Sequence, residues 1–587
     1  MTTDTDMTWR KCPVCGYLVP SQQASCKKCE TLAAGEAPTP TPAPAPVPTP
    51  AAAVPALVPP APVPSAPIAA AWPAAPISPP PTAPVTAPTG SEFLLPNAAW
   101  TADRPRDRRP IWILVGAIVA VVALLGGLVG SGVFDSGPSY PAKWDARLGD
   151  LPKTVERLRG LTFKHAVPVR FLSESAFKQE VGGDAKPSTA ARRTMGRLTA
   201  ELRAVGLVSG EVDLLKAVKT ERESSVLAFY SPDRQEVVVR GLGAPDAAHR
   251  VTLAHELTHV LQDQYFDLTA MKARVRRDPE GSSEALRAFI EGDANRIESK
   301  YVKTLSAADR TAYRDGRKQE AAKADTGSAS VPAIVSLELS APYRYGPPVL
   351  QVVAADGGNA NVDRVFEHGV FTQELFIEPS APLTESKPHH VADPTLGSGE
   401  KAIDKAEGHG AFDLYLQLGA RIDPAVALGA AVDWAGGRAR LVRVDGRTCM
   451  RGVVEAKTTK GSDALAADFR LWAATLPAGM AEIGRRGSAV TILSCDPGAR
   501  STLTSPDVAI ERAGTLLDLH SEIEASLTQE AAKFGAPPSS ARCFALEIAQ
   551  SPQVGLLLQQ PDESITSEMA QGAVRAAAEQ ARPKCLS

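Results

Sequence analysis

The sequence predicts an α+β fold in which a helical core carries an edge β-sheet, with a small cysteine-rich unit and one transmembrane helix attached. Val226–Tyr230 and Val237–Val239 predict two strands joined by the turn-forming Ser231–Arg234, and a helical segment begins after Pro245.

A chain of 587 residues is too long for one ordinary domain, so several units are expected. The formal net charge of -3 is close to balance and gives no indication of nucleic acid as a partner.

The eight cysteines fall into two groups, and the first lies close to the N-terminus at Cys12, Cys15, Cys26 and Cys29. Two Cys-x-x-Cys pairs at this separation can close a tetrahedral thiolate site around one structural zinc ion. So short a segment cannot bury a core, so the metal must supply most of its folding energy. Residues 8–32 resemble a short bacterial zinc ribbon, whose partner the sequence does not indicate. Redox-active pairs or disulfides are the alternative interpretation.

A linker and an apolar segment follow the cysteine-rich unit. Residues 33–103 are dominated by Pro and Ala, a composition that favours extended, disordered polyproline geometry. The uncharged run 111–134 would extend roughly 36 Å as a helix, enough to cross a bilayer. Because the arginine-rich segment 104–109 precedes this run, the positive-inside rule places the N-terminus in the cytoplasm. The sequence therefore predicts a single-pass protein of a bacterial cytoplasmic membrane, with residues from about 139 onwards outside.

The second group of cysteines lies in this outer part, where disulfides form and persist. Sequence order suggests the pairs Cys449–Cys495 and Cys543–Cys585, although four cysteines allow three pairings. The outer part is expected to contain a main domain at 139–500 and a helical C-terminal extension at 501–587.

The helical segment after Pro245 contains the sequence His-Glu-Leu-Thr-His at residues 255–259. Histidines four positions apart lie one turn above another on one helix face, so His255 and His259 can both reach one metal ion. Glu256 lies one residue further round the helix and can take a proton from water at that ion. Uncharged residues surround the motif, so the helix can be buried. A core helix with two hydrogen-bonded histidines is the alternative interpretation.

A second helical segment about 30 residues further on supplies a carboxylate, Glu291, within Glu-Gly-Asp-Ala. Two histidines and a carboxylate leave zinc an open position for water. This arrangement resembles the gluzincin branch of zinc metallopeptidases and its bacterial relatives, in which a Glu from a following helix is the third ligand. The resemblance implies a zincin-like metallopeptidase domain whose catalytic zinc is held by His255, His259 and Glu291, with Glu256 as the general base.

The resemblance also points to supporting residues. Family members often have Asp four residues after the third ligand, but here that position is Asn295, and Asp293 lies two before it; either is a candidate to orient a histidine. Glu284 is an alternative third ligand.

Other residues near the motif have candidate roles in binding or catalysis, or none. Val237–Arg240 is the candidate edge strand that aligns substrate. Tyr345 is a candidate oxyanion residue, although a packed tyrosine is the favoured alternative. Four further histidines have no ligand spacing to the site: His368, His389, His390 and His409.

The expected function is that of a membrane-anchored, zinc-dependent peptidase. Zinc would polarise the scissile carbonyl and lower the pKa of bound water, and Glu256 would pass the water proton to the leaving amine. The expected substrates are peptides or proteins outside the cytoplasm. Two alternatives remain open: a non-catalytic zinc-binding receptor or scaffold, and a zinc hydrolase of a non-peptide substrate such as a cell-wall amide.

Overall fold

The computed structural model describes residues 9–11, 18–20, 140–180, 187–223, 227–278, 281–328, 331–355, 357–383, 389–533, 538–560 and 565–586. The chain divides into two compact units, residues 1–94 and 95–587. In the first unit, strand β1 (Trp9–Lys11) pairs antiparallel with β2 (Leu18–Pro20). The predicted zinc ligands Cys12, Cys15, Cys26 and Cys29, the linker 33–103 and the apolar run 111–134 lie outside the described residues.

The second unit mixes helices with two sheets. Its first half contains, in chain order, α1 (Leu151–Arg159), β3 (Val169–Leu172), α2 (Glu174–Glu180), α3 (Thr189–Ala204), α4 (Leu214–Glu223), β4 (Ala228–Ser231), β5 (Glu236–Arg240), α5 (Ala247–Phe266), α6 (Leu268–Val275), α7 (Ser283–Thr304), α8 (Ala307–Ser328) and α9 (Ala333–Val353). Its second half contains α10 (Gly358–His368), α11 (Glu374–Ile377), β6 (Lys401–Ala402), β7 (Glu407–Gly408), α12 (Ala411–Gly419), α13 (Pro424–Val432), β8 (Trp434–Val444), β9 (Arg447–Ala456), α14 (Thr459–Ala474), β10 (Ala481–Arg486), β11 (Ala489–Cys495), α15 (Asp507–Lys533), α16 (Pro538–Ala549), α17 (Pro552–Leu557) and α18 (Ser567–Cys585).

The smaller sheet has three strands in the order β3-β5-β4. β3 runs parallel to β5, and β4 runs antiparallel to it with Tyr230 opposite Val237. Val237 and Val239 point to the core that includes α5, and Val238 points to the opposite face against Phe177. Because β5 is paired on both sides, the expectation that Val237–Arg240 forms the edge strand is wrong. β3 and β4 are the two edge strands of this sheet, and β4 is the one that packs against α5.

The larger sheet has six antiparallel strands in the order β10-β11-β9-β8-β6, with β7 also paired to β8. A disulfide joins Cys449 of β9 to Cys495, its direct partner on β11. A second disulfide joins Cys543 of α16 to Cys585 at the end of α18. These are the two pairings that sequence order suggests. Residues of α15 and α18 belong to the same hydrophobic core as α7 and α9.

The predicted membrane-spanning helix requires a correction. In the part of the chain that the structure describes, no helix is both long enough and apolar enough to cross a bilayer. α15 has 27 residues, for example, but Asp518 and Glu524 are among several charged side chains that interrupt it. The predicted fold class with a transmembrane helix, and the predicted location in a bacterial cytoplasmic membrane with the N-terminus in the cytoplasm, are therefore wrong for the described structure. The run 111–134, from which both were inferred, lies outside the described residues.

Helices α7 and α9 cross at a pair of glycines, which brings their backbones into close contact. A Cβ added at Gly292 would lie 2.5 Å from the carbonyl oxygen of Gly346. A Cβ at Gly346 would collide with the carbonyl oxygen of Ala288 and with the backbone of Gly292. Since neither backbone can yield locally, only glycine fits at this crossing. The crossing therefore fixes where α7 lies in the core.

We expect Gly346→Ala to lower the free energy of unfolding by about 1–3 kcal/mol, the usual cost of overpacking a core. Gly572→Ala in α18 is the matched control, because its Cβ would meet no atom within 4 Å. The control should be neutral or stabilise the protein by up to ~1 kcal/mol, since alanine favours helix. Urea unfolding of both variants checks this. Equal stability of the two variants would show that the crossing tolerates a side chain.

Candidate metal centre

Helix α5 carries the His-Glu-x-x-His motif, and caps at both ends fix it. The carboxylate of Asp246 accepts a hydrogen bond from the backbone N–H of His249 and so caps the first turn. The helix ends at Phe266, and its C-cap residue Asp267 has a φ of 52°, in the left-handed region. Every residue from Leu253 to Gln262 is buried. The motif therefore lies in the core, as its uncharged surroundings predict.

Helix α7 packs against α5 and supplies the carboxylate. The hydroxyl of Ser282 caps this helix by accepting a hydrogen bond from the N–H of Ala285 at 3.0 Å. Glu291 lies mid-helix, one residue before the glycine that contacts α9, and is only 3% exposed. A carboxylate buried to this extent needs a cation or hydrogen-bond donors beside it.

His255, His259 and Glu291 form one group that could hold a metal ion. Their ligand atoms lie within 4.8 Å of one another. The Nε2 atoms of His255 and His259 lie 3.1 Å and 3.3 Å from the same Glu291 oxygen, Oε2. The two imidazole rings are nearly perpendicular, at 82°. Among the described residues this is the one such group of His, Cys, Asp or Glu side chains.

A carboxylate orients the ring of His255 from behind. Nδ1 of His255 lies 3.1 Å from Oε2 of Glu298, seven residues after Glu291 on α7. The other oxygen of Glu298 accepts a hydrogen bond from the Tyr313 hydroxyl at 3.1 Å, and this hydroxyl in turn accepts one from Arg317 at 3.1 Å. Because a carboxylate only accepts, Nδ1 of His255 carries the proton. Nε2 faces Glu291, and a metal ion bound between them would take the place of the Nε2 proton.

An amide orients the ring of His259. Nδ1 of His259 lies 2.8 Å from Oε1 of Gln262, which is completely buried. Nε2 of Gln262 donates to the carbonyl oxygen of Ile290 at 3.0 Å and to Oδ2 of Asp293 at 3.1 Å. Asp293 therefore reaches the metal group through Gln262 rather than by direct contact with a histidine.

Two arginines hold Asp293 in the core. Nε of Arg159, which comes from α1, lies 2.7 Å from Oδ2, and Nη2 of Arg296 lies 2.7 Å from Oδ1. Burial alone would raise the pKa of Asp293, but the charges of Arg159 and Arg296 outweigh burial and lower it. Asn295, the other candidate to orient a histidine, has a buried Nδ2 without a hydrogen-bond partner in the described ranges.

The side chain of Glu256 extends from α5 to strand β4. Its Oε2 accepts a hydrogen bond from the backbone N–H of Tyr230 at 2.8 Å, and the residue is 3% exposed. Burial raises the pKa of Glu256, although the neighbouring His255 and His259 act in the opposite direction. A carboxylate with a raised pKa binds a proton more readily, which suits a general base.

Opposite charges stabilise one another within the group. Burial alone would lower the pKa of His255, but hydrogen bonds to Glu291 and Glu298 raise it well above its usual range. Burial alone would raise the pKa of Glu291, but His259 and His255 hold it well below its usual range. Glu291 is therefore ionised, and a metal ion would have to displace the proton that it stabilises on His255.

A cleft of about 240 Å³ leads to the group and is lined by His255 and Glu256. Leu227, which precedes strand β4, lies on its wall, together with Tyr313 of α8 and Tyr343 of α9. The same cleft reaches Glu298, which orients His255. A substrate in this cleft would meet Glu256 together with His255 of the metal group.

The structure places the remaining predicted residues elsewhere. Glu284 is exposed and accepts a hydrogen bond from Ser282 at 3.0 Å, and it is not part of the metal group. Tyr345 is 1% exposed and packs against Phe376 and Phe412, as the packing interpretation expects. None of the four further histidines belongs to the group: His368, His389 and His390 are exposed, and His409 is buried.

Three supporting residues are not identified from the sequence: Glu298, Gln262 and Arg159. The sequence does contain a pattern that could identify Glu298, because a spacing of seven residues from Glu291 places both side chains on one helix face. Gln262 follows His259 by three residues and so shares its face of α5. Arg159 lies 134 positions before Asp293, and no local pattern connects the two.

In comparisons with known proteins, no family model, no curated protein and no solved structure matches the chain.

Proposed function

We propose that this protein is a zinc-dependent peptidase that hydrolyses peptide bonds in peptide or protein substrates. The observation that carries the proposal is the convergence of two imidazoles and a carboxylate beside a buried Glu256, at the end of a cleft. Two histidines and a carboxylate, with room for a substrate, are the ligand set of a catalytic rather than a structural zinc site.

The ligand chemistry favours zinc. Both Nδ1 atoms are already engaged, by Glu298 and Gln262, so each Nε2 would be the atom that binds a metal ion once its proton is displaced. Imidazole nitrogen with a carboxylate oxygen suits zinc better than magnesium or calcium, which prefer oxygen ligands alone. A zinc ion held there supplies Lewis acidity to the scissile carbonyl and to the attacking water.

Glu256 performs the proton transfers in this account. It takes a proton from the attacking water, and it later delivers that proton to the nitrogen of the leaving amine. The N–H of Tyr230 holds Oε2 of Glu256 in position, so the other oxygen remains to accept the proton. Water is restricted around Glu256 because the residue is almost fully buried.

The edge strand β4 is the element that would align the substrate. Its N–H at Tyr230 donates to Glu256 rather than to β5, so this N–H points away from β5 on the outer side of the strand. A peptide that added to this edge as a further strand would run beside Glu256, with its backbone hydrogen-bonded to β4. This mode of binding selects for extended peptides over compact ones.

A second, structural zinc ion is proposed for Cys12, Cys15, Cys26 and Cys29. Support comes from the spacing of the two Cys-x-x-Cys pairs, since these residues lie outside the described ranges. With four thiolates bound, such a site has no open position, so it would contribute to folding and not to hydrolysis.

A library of extended peptides, incubated with the full chain and analysed by mass spectrometry, tests the proposal. We expect cleavage at defined peptide bonds, and we expect a zinc chelator to abolish it. Cell-wall fragments with amide bonds form a parallel arm. Cleavage of those fragments alone would identify a non-peptide amide hydrolase, and no cleavage in either arm would favour a non-catalytic zinc-binding protein.

A further inference from the structure

Gln262 is completely buried beside His259, and its side chain has only one orientation that satisfies its neighbours. Its amide faces three groups: Nδ1 of His259, the carbonyl oxygen of Ile290 and Oδ2 of Asp293. The last two are acceptors without a hydrogen to donate. The NH₂ group of Gln262 must therefore face them, and its oxygen must face His259.

This orientation determines which nitrogen of His259 carries the proton. Because the Gln262 oxygen accepts, Nδ1 of His259 must donate, so in the neutral ring that binds metal the lone pair is on Nε2. If the amide were reversed, its NH₂ group would face Nδ1, and the proton of the neutral ring would move to Nε2. A protonated Nε2 cannot bind a metal ion, so the orientation of Gln262 controls whether His259 is a ligand.

Arg159 and Asp293 keep the amide from reversing. Asp293 is ionised and accepts from Arg159, Arg296 and Gln262 at 2.7, 2.7 and 3.1 Å. Arg159 is also completely buried and makes a second ion pair with Asp363 at 2.5 Å, which attaches it to α10 as well as α1. An anchor paired from two sides and shielded from water does not rotate freely.

We propose that Gln262 is the positioning residue of His259, and that the Arg159–Asp293 ion pair fixes its amide in the orientation that prepares His259 for zinc. The two histidines are thus oriented differently: a carboxylate stands behind His255 and a neutral amide behind His259. The inference rests on the proposed zinc site, but not on peptide hydrolysis.

Gln262→Met tests the proposal, because methionine keeps the length and helix propensity of glutamine but offers His259 no acceptor. The matched control is Gln264→Met on the same helix; Gln264 also makes hydrogen bonds, to Lys164 and His165, but not to the metal group. Both substitutions are made in a full chain whose four N-terminal cysteines are replaced by serine, so that the measured zinc binding is that of the His/Glu site.

Zinc affinity by chelator competition and the visible spectrum of the cobalt-substituted protein are the two readouts. We expect Gln262→Met to weaken zinc binding by about 10–100-fold, the usual loss when a partner behind a ligand is removed, and to change the cobalt spectrum. Gln264→Met should change neither, even if both variants melt at a similarly lowered temperature.

Three outcomes would overturn the proposal: unchanged affinity and spectrum in Gln262→Met, an equal loss in both variants, or no zinc binding by the parent chain. If Gln262→Met does not fold, Gln262→Asn replaces it, since its shorter amide cannot reach His259 and Asp293 together; it should weaken zinc binding in the same direction. If the parent chain binds zinc but cleaves no peptide, the proposed function fails while the role of Gln262 is still decided by these readouts.

Discussion

Glu256→Gln is expected to lower the rate of peptide hydrolysis by about 10²–10⁴-fold, the range that a positioned general base contributes. Glutamine has the size and helix propensity of glutamate, and its oxygen can still accept the hydrogen bond from the Tyr230 N–H. What it loses is the ability to take a proton from water. We therefore expect the structure of the site to be unchanged while the rate of hydrolysis falls.

The measurement is kcat/KM for one peptide, made together with the zinc content of the same samples. The variant should contain as much zinc as the wild type, because the three ligand side chains are unchanged. Asp263→Asn on the same helix is a useful comparison: Asp263 accepts from Tyr230 through the hydroxyl and not through the backbone N–H, and it is not a ligand. Full hydrolysis by Glu256→Gln would assign the activity to another residue.

Glu291→Ala is expected to act on the metal rather than on the proton. It removes a ligand and the negative charge between His255 and His259, so zinc affinity should fall by more than the ~10–100-fold that follows loss of a supporting partner. The loss of hydrolysis should follow the loss of zinc. A high zinc concentration should restore part of both.

Glu284→Ala is the matched control for this change, since Glu284 lies two turns earlier on the same helix and is exposed. Its zinc affinity should equal that of the wild type. If Glu291→Ala kept full affinity and Glu284→Ala lost it, Glu284 and not Glu291 would be the third ligand.

The sequence predicts the local part of the metal site well. The His-Glu-x-x-His spacing acts within one helix, where residues four apart necessarily share a face, so the burial and mutual approach of His255 and His259 could be anticipated. Glu291 was inferred from a family resemblance, and the structure brings it to the same point because Gly292 and Gly346 fix where α7 lies.

The partners behind the histidines depend on tertiary contacts that a sequence does not display. Glu298 replaces the expected carboxylate four residues after Glu291, since the path of α7 past His255 decides which turn reaches Nδ1. Asp293, one of the two residues expected to orient a histidine, is linked to His259 only through Gln262, and Arg159 from α1 holds it there.

The order of the strands in the smaller sheet could not be predicted from local sequence patterns either. Val237–Val239 is as apolar as a central strand, but only the pairing with β3, which lies more than 60 residues earlier, makes it one and leaves β4 at the edge. Hydropathy alone suggested a membrane span, and the described helices contain none.

The zinc dependence of hydrolysis is the decisive measurement for the proposed zinc-dependent peptidase. The full chain is stripped of metal, its zinc content is verified to be zero, and cleavage of one peptide is followed as zinc is added back. We expect no hydrolysis without metal and a rise to the original rate as the site formed by His255, His259 and Glu291 fills. Undiminished hydrolysis by the metal-free chain would contradict this proposal.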